Sequence, residues 1–303
     1  MQSVYISKLM ELAEKDKNVI HVLSDSGTAY DELFRREFPD QYLNFGIAEE
    51  EKVAAAAGLA TCGRIPFLYT SGAFLVYRAL EFIRDDICYQ NLNVKIAGMG
   101  SGLSWSSLGP SHHTTEDIGI LRTIPNLTIF SPSTPNQLEK CMEEAYRITG
   151  PVYLRIGMSK EKEFFTKEEA SCNYNTINPG KEIVLVTTGS IMEEVASAAE
   201  LLKESGINST IISAVKLKPF DNSLFSDLMS AKQIITIEEH NIYGGIGSII
   251  AEAVAERNIG IKVNRIGLND VFAVSYGTIK DVRHANRLDA VSISEQIIKL
   301  IGE

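Results

Sequence analysis

Long apolar runs are missing: no stretch of the 303 residues approaches the roughly 18 that a membrane-spanning helix needs. The opening MQSVYISKLMELAEKDKN has the pattern of an amphipathic helix, with no apolar signal core and no small-residue cleavage site. Cysteine is sparse. Cys62, Cys88, Cys141 and Cys172 offer neither a CxxC pair nor metal-like spacing, which argues for buried thiols in a reducing compartment. Positive charge is also short. The 29 lysines and arginines face 39 aspartates and glutamates, and a net charge of −10 disfavours nonspecific nucleic-acid or anionic-membrane binding. No tract is of low complexity, and a 45% hydrophobic, 22% charged composition fits a globular chain long enough for two cores. These features predict a cytoplasmic α/β protein.

What is present is alternation. VIHVLSD (19–25), RIPFLYT (64–70), NVKIAGMG (93–100), LTIFSP (127–132) and PVYLRIG (151–157) read as buried strands. Helix patterns fall near 3–15, 48–61, 72–90, 115–123 and 135–148. That order predicts, over residues 1–165, a mostly parallel sheet with helices on both faces. The polar stretch TKEEASCNYNTINPGK, 166–181, reads as an interdomain linker. Alternation resumes with EIVLVTTG, STIISAV, QIITIEE and IKVNRIG, which predicts a smaller α/β domain over 182–303.

Three groups could carry chemistry. In GIAEEEKVAAAAGLA (46–60), Glu49, Glu50 and Glu51 open a helix, where acidic residues suit the positive end of its dipole. The alanines also make that helix thin. A carboxylate at its mouth could be partly buried, with a raised pKa and a proton to share with a ligand nitrogen. Phe74 and Tyr77, three apart on a helix, either pack in the core or form a wall for a flat ring. The loop GMGSGLSWSSLGPSHH (98–113) lacks the spacing and following helix of a dinucleotide fingerprint. It ends in His112 and His113, on the C-terminal side of a strand, where imidazoles are well placed to move protons. No third ligand lies near them in sequence, which argues against a metal site.

Four segments taken in series resemble the transketolase family of thiamine-diphosphate enzymes: YLNFGIAEEEKVAAAAGLA, FLYTSGAFLVYRALEFIRDDI, GPSHHTTEDIGILRTIPNLTIFSPSTPNQLE and GPVYLRIG. IITIEEHNIYGGIGSIIAE (234–252) is similar to that family's C-terminal domain, and the whole resembles the C-terminal subunit of a split transketolase. The 1-deoxy-xylulose-5-phosphate synthases share several of these motifs. The resemblance implies a pyrimidine-binding-type domain followed by a transketolase C-terminal-type domain. It implies Glu49 as the carboxylate on N1′ of the cofactor's aminopyrimidine, where a shared proton favours the tautomer the chemistry needs. Phe74 and Tyr77 become the aromatics around that ring. His112 becomes the histidine that meets substrate oxygens and moves protons, with His113 assisting. Arg155 falls near an arginine that clamps a sugar phosphate.

The departures matter as much. Leu80 stands where the family has a third aromatic, and Leu108 where an acidic residue precedes Gly-Pro-Thr-His. Ala29, behind Asp25, replaces a phosphate-binding serine. The family holds its diphosphate through a divalent cation, Mg²⁺ or similar, on a Gly-Asp-Gly segment, and no Gly-Asp-Gly occurs in this sequence. Two phosphates with no counter-cation facing so acidic a chain are electrostatically untenable. The resemblance therefore implies a partner, an N-terminal transketolase subunit carrying the metal motif, in a heterotetramer with active sites at interfaces. His240 and the glycines Gly244, Gly245 and Gly247 resemble a nucleotide-phosphate loop, but the implied role of the second domain is packing and dimer contacts. The implied reaction is transfer of a two-carbon ketol unit between sugars, phosphate esters among them. Its rivals are a deoxyxylulose-phosphate-synthase-like condensation, the beta subunit of a 2-oxoacid dehydrogenase, and a scaffold that has lost the chemistry.

Overall fold

The computed structural model describes residues 1–24, 29–158, 160–221, 223–228 and 231–302. Its β-branched and apolar runs become β1 (Val19–Leu23), β2 (Tyr42–Asn44), β3 (Ile65–Ser71), β4 (Lys95–Met99), β5 (Thr128–Phe130) and β6 (Val152–Ile156). The second half supplies β7 (Tyr174–Ile177), β8 (Ile183–Thr187), β9 (Ser209–Ala214), β10 (Lys216–Lys218), β11 (Gln233–Asn241) and β12 (Lys262–Leu268). A seven-stranded sheet runs in the order β10-β5-β6-β4-β3-β1-β2, and a five-stranded sheet in the order β12-β11-β8-β9-β7. All pairings are parallel except β5–β10 and β7–β9.

Strands buried on both faces need cover on both faces, and the helices provide it. Gln2–Lys15 and Pro135–Arg147 lie on one side of the first sheet, through Tyr5, Leu9, Leu138 and Met142. On the other side Val53 and Ala56 of helix Glu49–Thr61 pack with Leu75, Val76 and Ile83. That apolar layer continues without a break into the second half through Val184, Ile212, Ile234 and Ile250. The far face of the second sheet is covered by Met192–Glu204 and Ala290–Gly302, with Val195, Leu202, Ile293 and Ile297 inside.

Several details depart from the sequence pattern. Helix Ala29–Glu37, strand β2 and helix Ile279–Ala285 are not announced by periodicity. The stretch 166–181 contains an edge strand, β7, paired antiparallel to β9. More unexpectedly, β10 crosses back from the second half to pair with β5, with Lys216 opposite Phe130. Cys88 and Cys141 are buried, whereas Cys62 is exposed at the end of the Glu49–Thr61 helix. Among the described residues, no helix is long and apolar enough to cross a membrane.

The carboxyl ends of the two sheets face each other, and charge joins them. Arg155 on β6 is 1% exposed. Its Nε donates to both oxygens of Asp117 at 3.1 and 2.9 Å, and its Nη2 to the carbonyls of Thr114 at 3.0 Å and Glu239 at 3.2 Å. The Tyr153 hydroxyl adds a 2.8 Å bond to Asp117. From β11, the Asn241 N–H donates to the Thr115 carbonyl at 2.8 Å, and His240 Nε2 accepts from the Gly119 N–H at 3.3 Å. Removing one partner of a buried ion pair leaves the other charge desolvated and unpaired. Arg155→Met is therefore expected to destabilise the fold by about 3–5 kcal/mol. Arg155→Met combined with Asp117→Leu is expected to cost less than the single change. Urea unfolding of both variants checks this, and a wild-type midpoint for Arg155→Met would refute it.

Candidate active site

The acidic entrance of helix Glu49–Thr61 splits by direction. Gly46, at φ +65°, turns the chain after β2, and the helix begins at Glu49 with Ala48 as a cap that makes no side-chain bond. The buried positions Glu49, Lys52, Val53, Ala56 and Ala57 recur at helical spacing, so Glu49 shares the inward stripe. Its carboxylate is 3% exposed, whereas Glu51 faces solvent. One turn on, Lys52 is wholly buried, and its ammonium lies 3.5 Å from the Tyr69 carbonyl. Burial pulls the Lys52 pKa down to about 7, with Glu49 opposing the shift.

The segment after β3 is not a regular α-helix. Phe74–Arg78 and Ile83–Cys88 are π-helical turns on either side of a short α-turn, Leu80–Phe82. A π-turn holds more residues than an α-turn, so the residue three after Phe74 rotates off its face and the residue four after it stays there. Tyr77 accordingly turns to the next loop, where its hydroxyl donates to Glu116 Oε2 at 2.6 Å and accepts from the Glu116 N–H at 3.1 Å. Arg78 takes the place on the Phe74 face. Its guanidinium carbon is 5.0 Å from the ring centroid, and Nη1 donates to Glu49 Oε2 at 2.5 Å. The expected single wall of Phe74 and Tyr77 is thus a Phe74 face covered by Arg78, a residue not picked out from the sequence. Its signal there was the four-residue spacing from Phe74.

The histidine loop is seated on the second domain. Gly102 and Thr114 exchange backbone hydrogen bonds of 3.0 and 2.9 Å and close the loop at its base. Gly102, at φ +61°, meets Glu239 so closely that an added Cβ would stand 2.6 Å from the Glu239 carboxylate. His112 presents its ring to Phe74 edge-on, 4.9 Å between centroids, and its Nδ1 lies 3.0 Å from the Ser111 hydroxyl. Trp105 flanks the same ring at 6.3 Å. His113 is 2% exposed, and neither ring nitrogen has a hydrogen-bond partner among the described residues. Burial lowers its pKa, with the negative charges of Glu239 and Glu116 pulling it back up.

Glu49 follows β2, Phe74 follows β3 and His112 lies in the loop after β4, so all three stand at the carboxyl edge of the first sheet, where open α/β sheets present their ligand crevices. Arg155 does not join them. The phosphate-clamp reading is corrected by its burial and by the donors it commits to Asp117, Thr114 and Glu239. Near His240, the N-terminus of helix Ile246–Glu256 receives the Glu238 carboxylate at 2.8 and 2.9 Å, which takes the place an external anion would need. Asp25 lies outside the described residues, and of Ala29 only its place in helix Ala29–Glu37 is described. Leu108 is 45% exposed at the rim. Among the described residues, no group of three or more His, Cys, Asp or Glu could hold a metal ion. A cleft of about 480 Å³ between Phe164, Ile177 and helix Met192–Glu204 contains none of the site residues.

These residues fit the heterocyclic part of a thiamine-type cofactor. A buried carboxylate supplies a proton-sharing acceptor, Phe74 a flat face, and the orphaned nitrogens of His113 an unmet demand for a polar partner.

Comparison with known proteins gives the same picture. The family model for the transketolase pyrimidine-binding domain matches residues 1–160, and that for the transketolase C-terminal domain matches residues 173–293. The chain is 34% identical to one subunit of an apulose-4-phosphate transketolase of Actinobacillus succinogenes, over 99% of this chain and 98% of that one. It is 32% identical to a 1-deoxy-D-xylulose-5-phosphate synthase of Halothermothrix orenii, covering 99% of this chain but 48% of the longer relative. Among solved structures, a split-gene transketolase described as an inactive beta4 tetramer superposes with a TM-score of 0.87 at 31% identity, over 98% and 96% of the two chains.

The lysine beneath Glu49 gives a test by pH. A lysine whose folded pKa is depressed from 10.5 to about 7 costs no stability above the unfolded value. The cost grows as pH falls through the window and is complete below about 7. Lys52→Met is expected to raise the melting temperature at pH 6 by more than it does at pH 10. Equal melting shifts at the two pH values would refute the assignment.

Proposed function

The chain belongs to the transketolase family, and on that premise we propose that it is the C-terminal subunit of a two-subunit, thiamine-diphosphate-dependent transketolase that transfers a two-carbon ketol unit between phosphorylated sugars. The observation that carries the reading is the inward-facing Glu49 carboxylate beside the Phe74 ring and His112. In this reading residues 1–165 form the pyrimidine-binding part, 166–181 the connection and 182–303 the C-terminal domain.

Thiamine diphosphate, when bound, supplies the stabilised carbanion chemistry. Glu49 holds a proton shared with N1′ of the pyrimidine, and its shelter from water strengthens that bond. Phe74 offers the ring a stacking face. His112 meets the substrate oxygens and moves protons at them. Ser111, 3.0 Å from His112 Nδ1, fixes the imidazole's orientation. His113, held neutral by burial, assists from behind.

The diphosphate and its Mg²⁺ belong to an N-terminal subunit carrying the Gly-Asp-Gly motif, and the pair assembles in the cytoplasm as a heterotetramer. Two similarities support this division. The Actinobacillus succinogenes relative, of matching length, is itself named as one subunit of a transketolase, and the split-gene structure is described as inactive as a beta4 tetramer. A decarboxylating condensation of the 1-deoxy-D-xylulose-5-phosphate synthase kind is the second reading, favoured by the Halothermothrix orenii relative.

Coexpression with an N-terminal subunit that carries Gly-Asp-Gly tests the proposal. Ketose turnover is expected only from the pair, and Glu49→Gln is expected to lower kcat by about 10²–10⁴-fold. Wild-type turnover by Glu49→Gln, or turnover by this chain alone with thiamine diphosphate and Mg²⁺, would overturn it.

A further inference from the structure

Both groups that a stacked pyrimidine must use are already engaged by one side chain. Arg78 Nη1 donates to Glu49 Oε2 at 2.5 Å, and the same guanidinium lies over the Phe74 ring at 5.0 Å. A guanidinium is planar, cationic and rich in N–H donors. It reproduces the two contacts expected of an aminopyrimidine whose N1′ carries the shared proton, an N–H donor to the carboxylate and a flat face on the ring. The two partners differ in exposure: the Glu49 side chain is 4% exposed and that of Arg78 is 43%. Arg78 therefore reaches into the site from its open side, and can withdraw to solvent without unpacking a core. Its position follows from the backbone, because the π-turn Phe74–Arg78 carries Arg78 back over Phe74 and sends Tyr77 to Glu116.

We infer that Arg78 is a resident stand-in for the heterocycle: it occupies Glu49 and Phe74 while the site is empty and is displaced from both when the pyrimidine enters. The inference rests on the proposed role of Glu49 and adds a competitor for it. Two consequences are physical. Glu49, buried at the mouth of a thin helix, keeps a cationic hydrogen-bond partner until the ligand arrives, so its polar atoms are not left buried without one. Cofactor binding then carries the cost of breaking a short, charge-assisted hydrogen bond, so Arg78 weakens binding while protecting the apo fold. Arg78 is in this sense a positioning residue that acts through Glu49.

The test uses the full chain alone and a small probe, 4-amino-2-methylpyrimidine, followed by the emission of Trp105, the single tryptophan. Trp105 lies 6.3 Å from the His112 ring that abuts Phe74, so it reports on this site. Wild type, Arg78→Met, Glu49→Gln and the double variant are titrated in parallel, with Arg78→Lys as a fifth form that keeps the charge but loses the plane. Arg78→Met is expected to bind the probe at least about tenfold more tightly than wild type, Arg78→Lys in between, and the double variant to lose the gain. Equal or weaker binding by Arg78→Met, with Glu49→Gln still impairing binding in that background, overturns the stand-in and leaves the proposed function standing. Indifference to Glu49→Gln in both backgrounds, or no binding by any form, overturns both. The melting temperature gives a second readout: Arg78→Met is expected to melt below wild type without probe, and to recover with it by a larger increment than wild type gains. Equal melting temperatures for the two unliganded forms would count against the inference.

Discussion

One buried guanidinium, that of Arg155, fixes how the end of β6 meets the end of β11, beside the apolar layer and the β10 pairing that also join the two halves. Its bonds to Asp117, Thr114 and Glu239 tie the end of β6 to the loop after β4 and to the end of β11. Each of these groups is buried, so each needs the others: an unpaired charge here would bear its full desolvation penalty. The arrangement gains no large stability over an apolar core of the same volume, but it specifies one relative placement of the sheets. The histidine loop inherits that placement. Gly102 sits against Glu239, whose own carboxylate is fixed by Arg283 at 2.6 Å and Ser190 at 2.9 Å, and His112 is carried ten residues farther along the same loop.

The second domain thus works within its own chain, through the end of β11. Glu238, Glu239 and His240 stand consecutively at the end of β11, and each points its side chain to a different task. Glu238 caps helix Ile246–Glu256, Glu239 receives Arg283, and His240 accepts from the Gly119 N–H. The His240 Nδ1 contact with the Asn241 carbonyl at 2.6 Å fixes the proton on Nδ1 and leaves Nε2 as the acceptor that Gly119 needs. All three side chains are consumed by the architecture.

Strand and helix order were legible because both obey short periods, and a sheltered carboxylate at the alanine-rich helix mouth was legible as a possibility, with Glu49 singled out from Glu50 and Glu51 by the family resemblance. His112 and Phe74, which the resemblance assigns to one site, lie 4.9 Å apart between ring centroids. What escaped was set by backbone detail that residue type does not encode. The π-turn that trades Tyr77 for Arg78 beside Phe74 depends on how the segment packs between β3 and the Glu49–Thr61 helix. Arg155 stands near a strand's end, as a phosphate-binding arginine would, and the partners that make it a buried tie, Asp117, Thr114 and Glu239, come from distant parts of the chain. Lys52 follows three glutamates, a setting that suggests a solvated ion pair, and its burial emerges only when the helix stripe is assigned.

The return of β10 to the first sheet has a consequence for how such a chain can be cut. Residues 216–218 pair with β5, and the Ser131 N–H donates to the Val215 carbonyl at 2.7 Å. A fragment ending before that crossing would leave β5 as a bare edge, with free backbone groups ready to template another strand. Exchange of C-terminal modules between related chains would have to bring a compatible Lys216–Lys218 segment with it. The modules are separable on paper, yet they are laced by three residues, and recombination that ignores the lace yields a sticky half rather than a domain.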